Sequence, residues 1–466
     1  MKDIRLISRP DHFIVPLLFL FFSLCFPIVS HSDPQKPSGE QNAQESLILT
    51  GYLSTKYVHR SAEASDNRFR DQDLFGELRM DITAPEENTY EAHLFGTLRR
   101  DLSDNRDSSA FYPLENSSDT HRSGTQGYLY EANLAANDLF RSVPRFTLGR
   151  QSGTRDEPLF FDGIAADVRA TSKLIMTLYG GAAVHFYEID GHGGDDTLAG
   201  AGLDYSFSSN TSASLDYLSV SDQQNYPANA DLRDRMASLK VWHSFASLMK
   251  GSAKYRYLNG EPRDVSVRAV TAFPESDMQL NVNYFRQFRT QNELSNELSL
   301  YYAILGRSAP YQTYDVKLRK LFGPHYAVDL GYLKRELIEA SGESLFDRDY
   351  NRTFLLIEFI DLVRERLSFS IIAEQWEAGG REYDTAGFDA GYKFKGVKKA
   401  RVNGGTYYSL YKYDYYAEQG LREKVRTYYV NGNYPLISNF WFNGSYEFED
   451  SIENYQTLRL GMRYDF

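Results

Sequence analysis

The final twelve residues, Tyr455 to Phe466, constrain the fold more than any other stretch of this 466-residue chain. They read Y-Q-T-L-R-L-G-M-R-Y-D-F. Side chains of an extended strand alternate with period two. Leu458, Leu460, Met462, Tyr464 and Phe466 therefore share one face, and Thr457, Arg459, Gly461, Arg463 and Asp465 share the other. One face is wholly apolar and ends in two aromatics. The other is polar or small. That division suits a strand with hydrocarbon on one side and water on the other.

The pattern repeats along the chain. Leu74, Gly76, Leu78, Met80 and Ile82 alternate with Phe75, Glu77, Arg79, Asp81 and Thr83. Tyr314, Val316 and Leu318 alternate with Asp315, Lys317 and Arg319, and Phe440, Phe442, Gly444, Tyr446 and Phe448 with Trp441, Asn443, Ser445 and Glu447. Aromatics make up 15% of the chain, with 35 Tyr and 30 Phe, yet mean hydropathy is −0.49. Tyr suits a boundary with one dry and one wet side. No apolar run after Val29 approaches the ~20 residues of a spanning helix. A chain that crosses lipid without such helices has to close its sheet, because an open edge leaves backbone groups unsatisfied in hydrocarbon.

Residues 1–32 read as a secretory leader. Lys2, Arg5 and Arg9 precede an apolar run from Phe13 to Val29, and Ser30-His31-Ser32 offers small residues for cleavage. Residues 33–45 are polar with two prolines and read as a short disordered lead-in. The barrel then spans 46–466. Cys25, the one cysteine, lies in the leader, so the mature chain lacks disulfides, thiolate metal sites, a Cys nucleophile and covalent c-type haem. The whole chain carries a net charge of −12, and the mature part about −13, so no nucleic-acid partner is expected.

From Leu47 onward, segments of roughly ten alternating residues are separated by turn residues. Short connections such as Phe322-Gly323-Pro324-His325, Lys395-Gly396-Val397-Lys398 and Tyr434-Pro435 alternate with long polar ones at 58–71, 101–125, 186–196, 221–233, 338–349, 378–383 and 412–422. Residues 289–310 are read as a further long loop, because a strand there would break the alternation. The expectation is an all-β, transmembrane antiparallel β-barrel of 22 strands, in an even range of about 18–24, with both termini on the periplasmic side.

The C-terminal strand and the alternation resemble those of bacterial outer-membrane β-barrels, porin-like in architecture, over essentially the whole mature length. The resemblance implies the outer membrane of a Gram-negative bacterium, with lipid and lipopolysaccharide around the barrel. It also implies that Tyr464 and Phe466 are read by the barrel-assembly machinery. In general porins the third outer loop narrows the pore. The corresponding stretch here, 152–160 and the start of the next strand, would bring Arg155, Asp156, Glu157 and Asp162. Glu77, Arg79, Asp81, Arg99, Lys317, Arg319, Glu447, Arg459 and Arg463 are the expected lumen charges. They would tune ion passage or pair with one another across strands.

The implied function is a channel for small polar solutes or ions. One alternative is a sleeve for an electron conduit, its haem supplied by a multihaem cytochrome partner, because an empty barrel of this size would be wide. Another is a dedicated oligosaccharide export or uptake barrel, with Trp376 and Trp441 as stacking surfaces. No enzyme chemistry, cofactor or metal site is expected. The mature histidines are scattered, and Asp190-Gly191-His192-Gly193-Gly194-Asp195-Asp196 lacks the ligand spacing of a calcium loop.

Overall fold

A computed structural model describes residues 47–64, 67–84, 89–103, 124–152, 159–184, 196–224, 230–246, 248–289, 309–338, 349–378, 381–396, 400–408, 426–450 and 454–466. The expected leader and lead-in lie outside the described residues. The first eight strands are β1 Ile48–Ala64, β2 Asn67–Thr83, β3 Tyr90–Asp101, β4 Thr125–Phe140, β5 Val143–Ser152, β6 Phe160–Thr171, β7 Leu174–Val184 and β8 Thr197–Ser208. Then come β9 Thr211–Gln224, β10 Ala230–Phe245, β11 Met249–Leu258, β12 Glu261–Phe273, β13 Met278–Gln287, β14 Tyr311–Phe322 and β15 Tyr326–Leu337. The last seven are β16 Tyr350–Asp361, β17 Leu367–Ala378, β18 Arg381–Lys393, β19 Arg401–Tyr408, β20 Arg426–Ile437, β21 Phe440–Asp450 and β22 Asn454–Asp465.

Each strand pairs antiparallel with its sequence neighbours, and β1 pairs with β22, so 22 strands form one closed ring. Closure satisfies every strand edge, which lipid demands. The register carries one face consistently around the ring. Leu53, Tyr57, Leu460, Met462 and Tyr464 point outward together, while Ser54, Lys56, Arg459 and Arg463 point inward.

The outward face is apolar and uncovered. Leu134 is 61% exposed, Leu148 51%, Ile164 52% and Leu330 50%, which only a lipid environment makes favourable on this scale. Phenylalanines crowd the rim where β1 begins and β22 ends: Phe207, Phe245, Phe273 and Phe322 are all exposed there. Tyr205 meets Phe207 edge-on at 4.7 Å. Toward the opposite rim tyrosines are frequent among the outward aromatics, as in the Tyr284–Tyr314 pair at 5.2 Å. Two aromatic belts flanking an apolar band mark two interfaces.

Four expected connections differ, among them 221–233, where β9 runs to Gln224 and β10 begins at Ala230. The stretch 58–71 is no long loop: β1 and β2 run on to Ala64 and Asn67, held by inward Arg60 against Asp71 at 2.6 Å and Asp73 at 3.1 Å. The stretch 378–383 is likewise mostly strand, since β17 ends at Ala378 and β18 begins at Arg381. Tyr434 and Pro435 lie inside β20, and the turn falls at Ser438-Asn439. Pro435 sits at a register shift, where its missing N–H leaves no gap in the ladder. The ring passes directly from β13 to β14. Residues 290–308 lie outside the described residues.

Backbones crowd closely at several glycines. A Cβ at Gly163 would lie 2.1 Å from the Gly180 carbonyl oxygen, and one at Gly405 2.1 Å from that of Phe388. Gly163 faces Gly181 across β6 and β7, and only paired glycines permit so close an approach.

Candidate functional site

The inner wall is the candidate site. Strands β1–β3 contribute one network. The Tyr52 hydroxyl donates to Glu77, and the Arg463 guanidinium lies 3.9 Å above the Tyr52 ring. Arg79 pairs with Asp81 at 3.1 Å, and Asp81 meets His93 at 2.6 Å. Arg99 reaches Asp73 at 3.5 Å and covers the Phe75 ring at 4.9 Å. Asp71, Asp73 and Asp101 are buried with oxygens within 4.8 Å of one another, close enough for a cation. The positive charge beside them is Arg60 and Arg99.

A second network spans β14–β18. Lys317 and Arg319 both reach Asp329 at 2.9 Å, and Asp329 is 1% exposed. Arg319 also bonds Glu358, and Arg352 bonds Glu374. Glu374 accepts further bonds from the Trp376 indole at 3.3 Å and the Thr385 hydroxyl at 3.1 Å. Arg352 lies 5.2 Å from the Trp376 ring, and Tyr350 5.7 Å from it, so that ring is already packed. Near the seam, Arg459 pairs with Glu447 at 3.2 Å and Arg463 with Asp465 at 2.6 Å. All nine expected lumen charges thus stand on the inward face, each beside a partner.

The third long connection is different. Arg155, Asp156 and Glu157 lie outside the described residues. Asp162 is not a lumen charge: the register places it on the outward face opposite Arg150. The two form a bidentate pair, Nε to Oδ1 at 2.7 Å and Nη2 to Oδ2 at 2.6 Å. The inward residue is its neighbour Phe161, which is fully buried. Leu159 and Phe161 join Tyr179, Leu198, Leu218 and Met236 in an apolar cluster on the inner wall of β6–β10. The described end of this connection is therefore anchored by apolar contacts.

Sequence reading also missed a cationic face on β10–β12. Lys240 stands directly opposite Lys254, and Arg268 lies opposite Ser252, one step along the same face. Hairpin symmetry about the connection between β10 and β11 was the signal that could have paired the two lysines. Trp242 faces inward beside Lys240, between Ser212 and Ser252 on the flanking strands. All three tryptophans of the chain, Trp242, Trp376 and Trp441, face the lumen.

A closed ring, apolar outside and polar within, is that of a transmembrane β-barrel, porin-like in architecture. No family model matches the chain, and no curated protein matches it. Among solved structures it is similar to the translocation pore of the P pilus usher PapC, at 10% identity over 89% of this chain and 99% of that one, with a TM-score of 0.48. It is also similar to OccAB3 of Acinetobacter baumannii, at 11% identity over 90% and 99% of the two chains, with a TM-score of 0.45. For OpdQ of Pseudomonas aeruginosa the figures are 11%, 90% and 97%, with a TM-score of 0.40.

Proposed function

We propose that the protein is an outer-membrane channel of porin type, passing small polar solutes or ions by diffusion. The observation that carries this reading is the inner wall, where acids and bases satisfy one another within the ring. Asp329 between Lys317 and Arg319 is the clearest case. A wall neutralised by its own residues needs no partner protein to cover it, and rings of charge beside water govern ion passage. The uncovered outward band meets lipid and, on one leaflet, lipopolysaccharide. The rim with short turns and both barrel ends faces the periplasm, and the long connections face outside. Tyr464 and Phe466 supply the aromatic ending that assembly machinery reads.

Reconstitution in planar bilayers tests the reading. The purified barrel alone is expected to conduct in ohmic steps. A silent barrel that extracts from membranes with a haem protein would instead make it the sleeve of an electron conduit.

A further inference from the structure

Most lumen charges are paired, but on one sector of the wall Lys240 and Arg268 are not. Lys240 and Lys254 stand directly opposite each other on β10 and β11, and like charges so placed destabilise a sheet. Among the described residues, Lys240 and Arg268 form no ion pair. All three lie in the half of the barrel nearer the rim that carries the termini. Facing Lys254 therefore carries a cost for Lys240 in the free protein, with Ser214 and then Asp204 on the strands to its other side. An anion in the lumen removes that cost.

Trp242 adds a second, independent feature. It is half-buried, and among the described residues its ring meets no aromatic or cation and its indole N–H has no acceptor. The packed Trp376 is the contrast. Both cross-strand neighbours of Trp242 are serines, Ser212 and Ser252, which leave its faces open. Trp242 also lines a recess of about 560 Å³ at the rim with Lys173, Ser206 and Ser212, among other hydroxyl residues. Recesses with one aromatic platform and several fixed polar groups orient polyhydroxylated ligands.

We propose that this sector, centred on Trp242 and Lys240, binds an anionic sugar at the terminus-bearing mouth. Trp242 stacks on the apolar face of the ring, and the serine hydroxyls bond the sugar hydroxyls. Lys240, Lys254 and Arg268 hold the acidic group deeper in the lumen. The proposal rests on the channel reading for its position in a transport path, but binding itself is testable without conduction.

The probe is glucose 6-phosphate, with glucose and inorganic phosphate as the two halves. In detergent-folded protein carrying Trp376→Phe and Trp441→Phe, Trp242 is the one tryptophan fluorophore. Its emission is expected to shift with glucose 6-phosphate at a concentration at least roughly tenfold below that needed with either half. Lys240→Ser should weaken that response by a similar factor, while heat-modifiable mobility on gels confirms that the variant is folded. In bilayers the same sugar should block current, and Trp242→Ala should relieve the block. Equal responses to glucose 6-phosphate and phosphate would overturn sugar recognition, and no response to any probe would overturn the site. A barrel that conducts without binding refutes this inference alone. One that binds without conducting refutes the channel reading alone.

Discussion

Arg150 and Asp162 form a two-pronged ion pair on the lipid-facing side of the barrel, across β5 and β6. The Arg150 Nη1 also donates to the Leu129 carbonyl at 3.2 Å. Both residues sit two positions from the ends of their strands, near the rim of the long connections. Removing one partner leaves a bare charge facing the membrane. Asp162→Ala should cost about 1–3 kcal/mol in urea unfolding from lipid vesicles, and Arg150→Leu with Asp162→Leu should recover most of the loss. A double variant weaker than the single one would show that the pair serves something beyond mutual neutralisation.

Transmembrane orientation follows from the two rims. Glu261 begins β12 at one rim and Glu275 lies in a short turn at the other. In a Cys25→Ser background, and with the barrel oriented as proposed above, Glu261→Cys should react with an impermeant thiol reagent on intact cells, and Glu275→Cys only after the outer membrane is opened. The reverse pattern would invert the barrel.

The two faces of β22 predict opposite sensitivities. Leu460→Arg places a charge against hydrocarbon and should cost roughly 2–4 kcal/mol near the midplane. Arg459→Leu removes a wet, half-exposed charge paired with Glu447, and the cost should stay under about 1 kcal/mol. Folded yield on heat-modifiable gels reads both.

Gly163 gives a steric test. Gly163→Ala drives a Cβ into the Gly180 carbonyl and should destabilise the barrel by about 1–3 kcal/mol. Gly391→Ala would bring its Cβ to an ordinary 3.7 Å from the Asn403 Cβ, and should stay within about 0.5 kcal/mol. Equal stability of both variants would mean that the β6–β7 backbones separate readily.

Much of this fold was legible because a two-residue period reports membrane strands directly. The 22 strands expected are the 22 observed, and Leu460 and Met462 take the outward face of β22 as their alternation predicts. Turn chemistry was a weaker guide. Pro435 looked like a turn residue but sits at a bulge within β20. Asp162 was misplaced because face assignment is unforgiving: one residue of slip exchanges inside and outside, and Phe161 took the inward place. Lys240 and Lys254 escaped notice because charges were read along strands. Their meaning appears only when two strands are folded about their turn.

The ring closes where β1 meets β22, from Tyr52 against Asp465 to Glu63 against Asn454. Among the described residues, no strand pairing spans more of the chain. The unfolded chain therefore cannot complete its structure until its last strand has arrived, and loop-closure entropy makes such distant pairing slow. During that interval dozens of apolar side chains meant for lipid are bathed in water. The geometry of one seam thus sets a logistical demand: shelter from water before insertion, and a template at the membrane that holds the first strand open for the last.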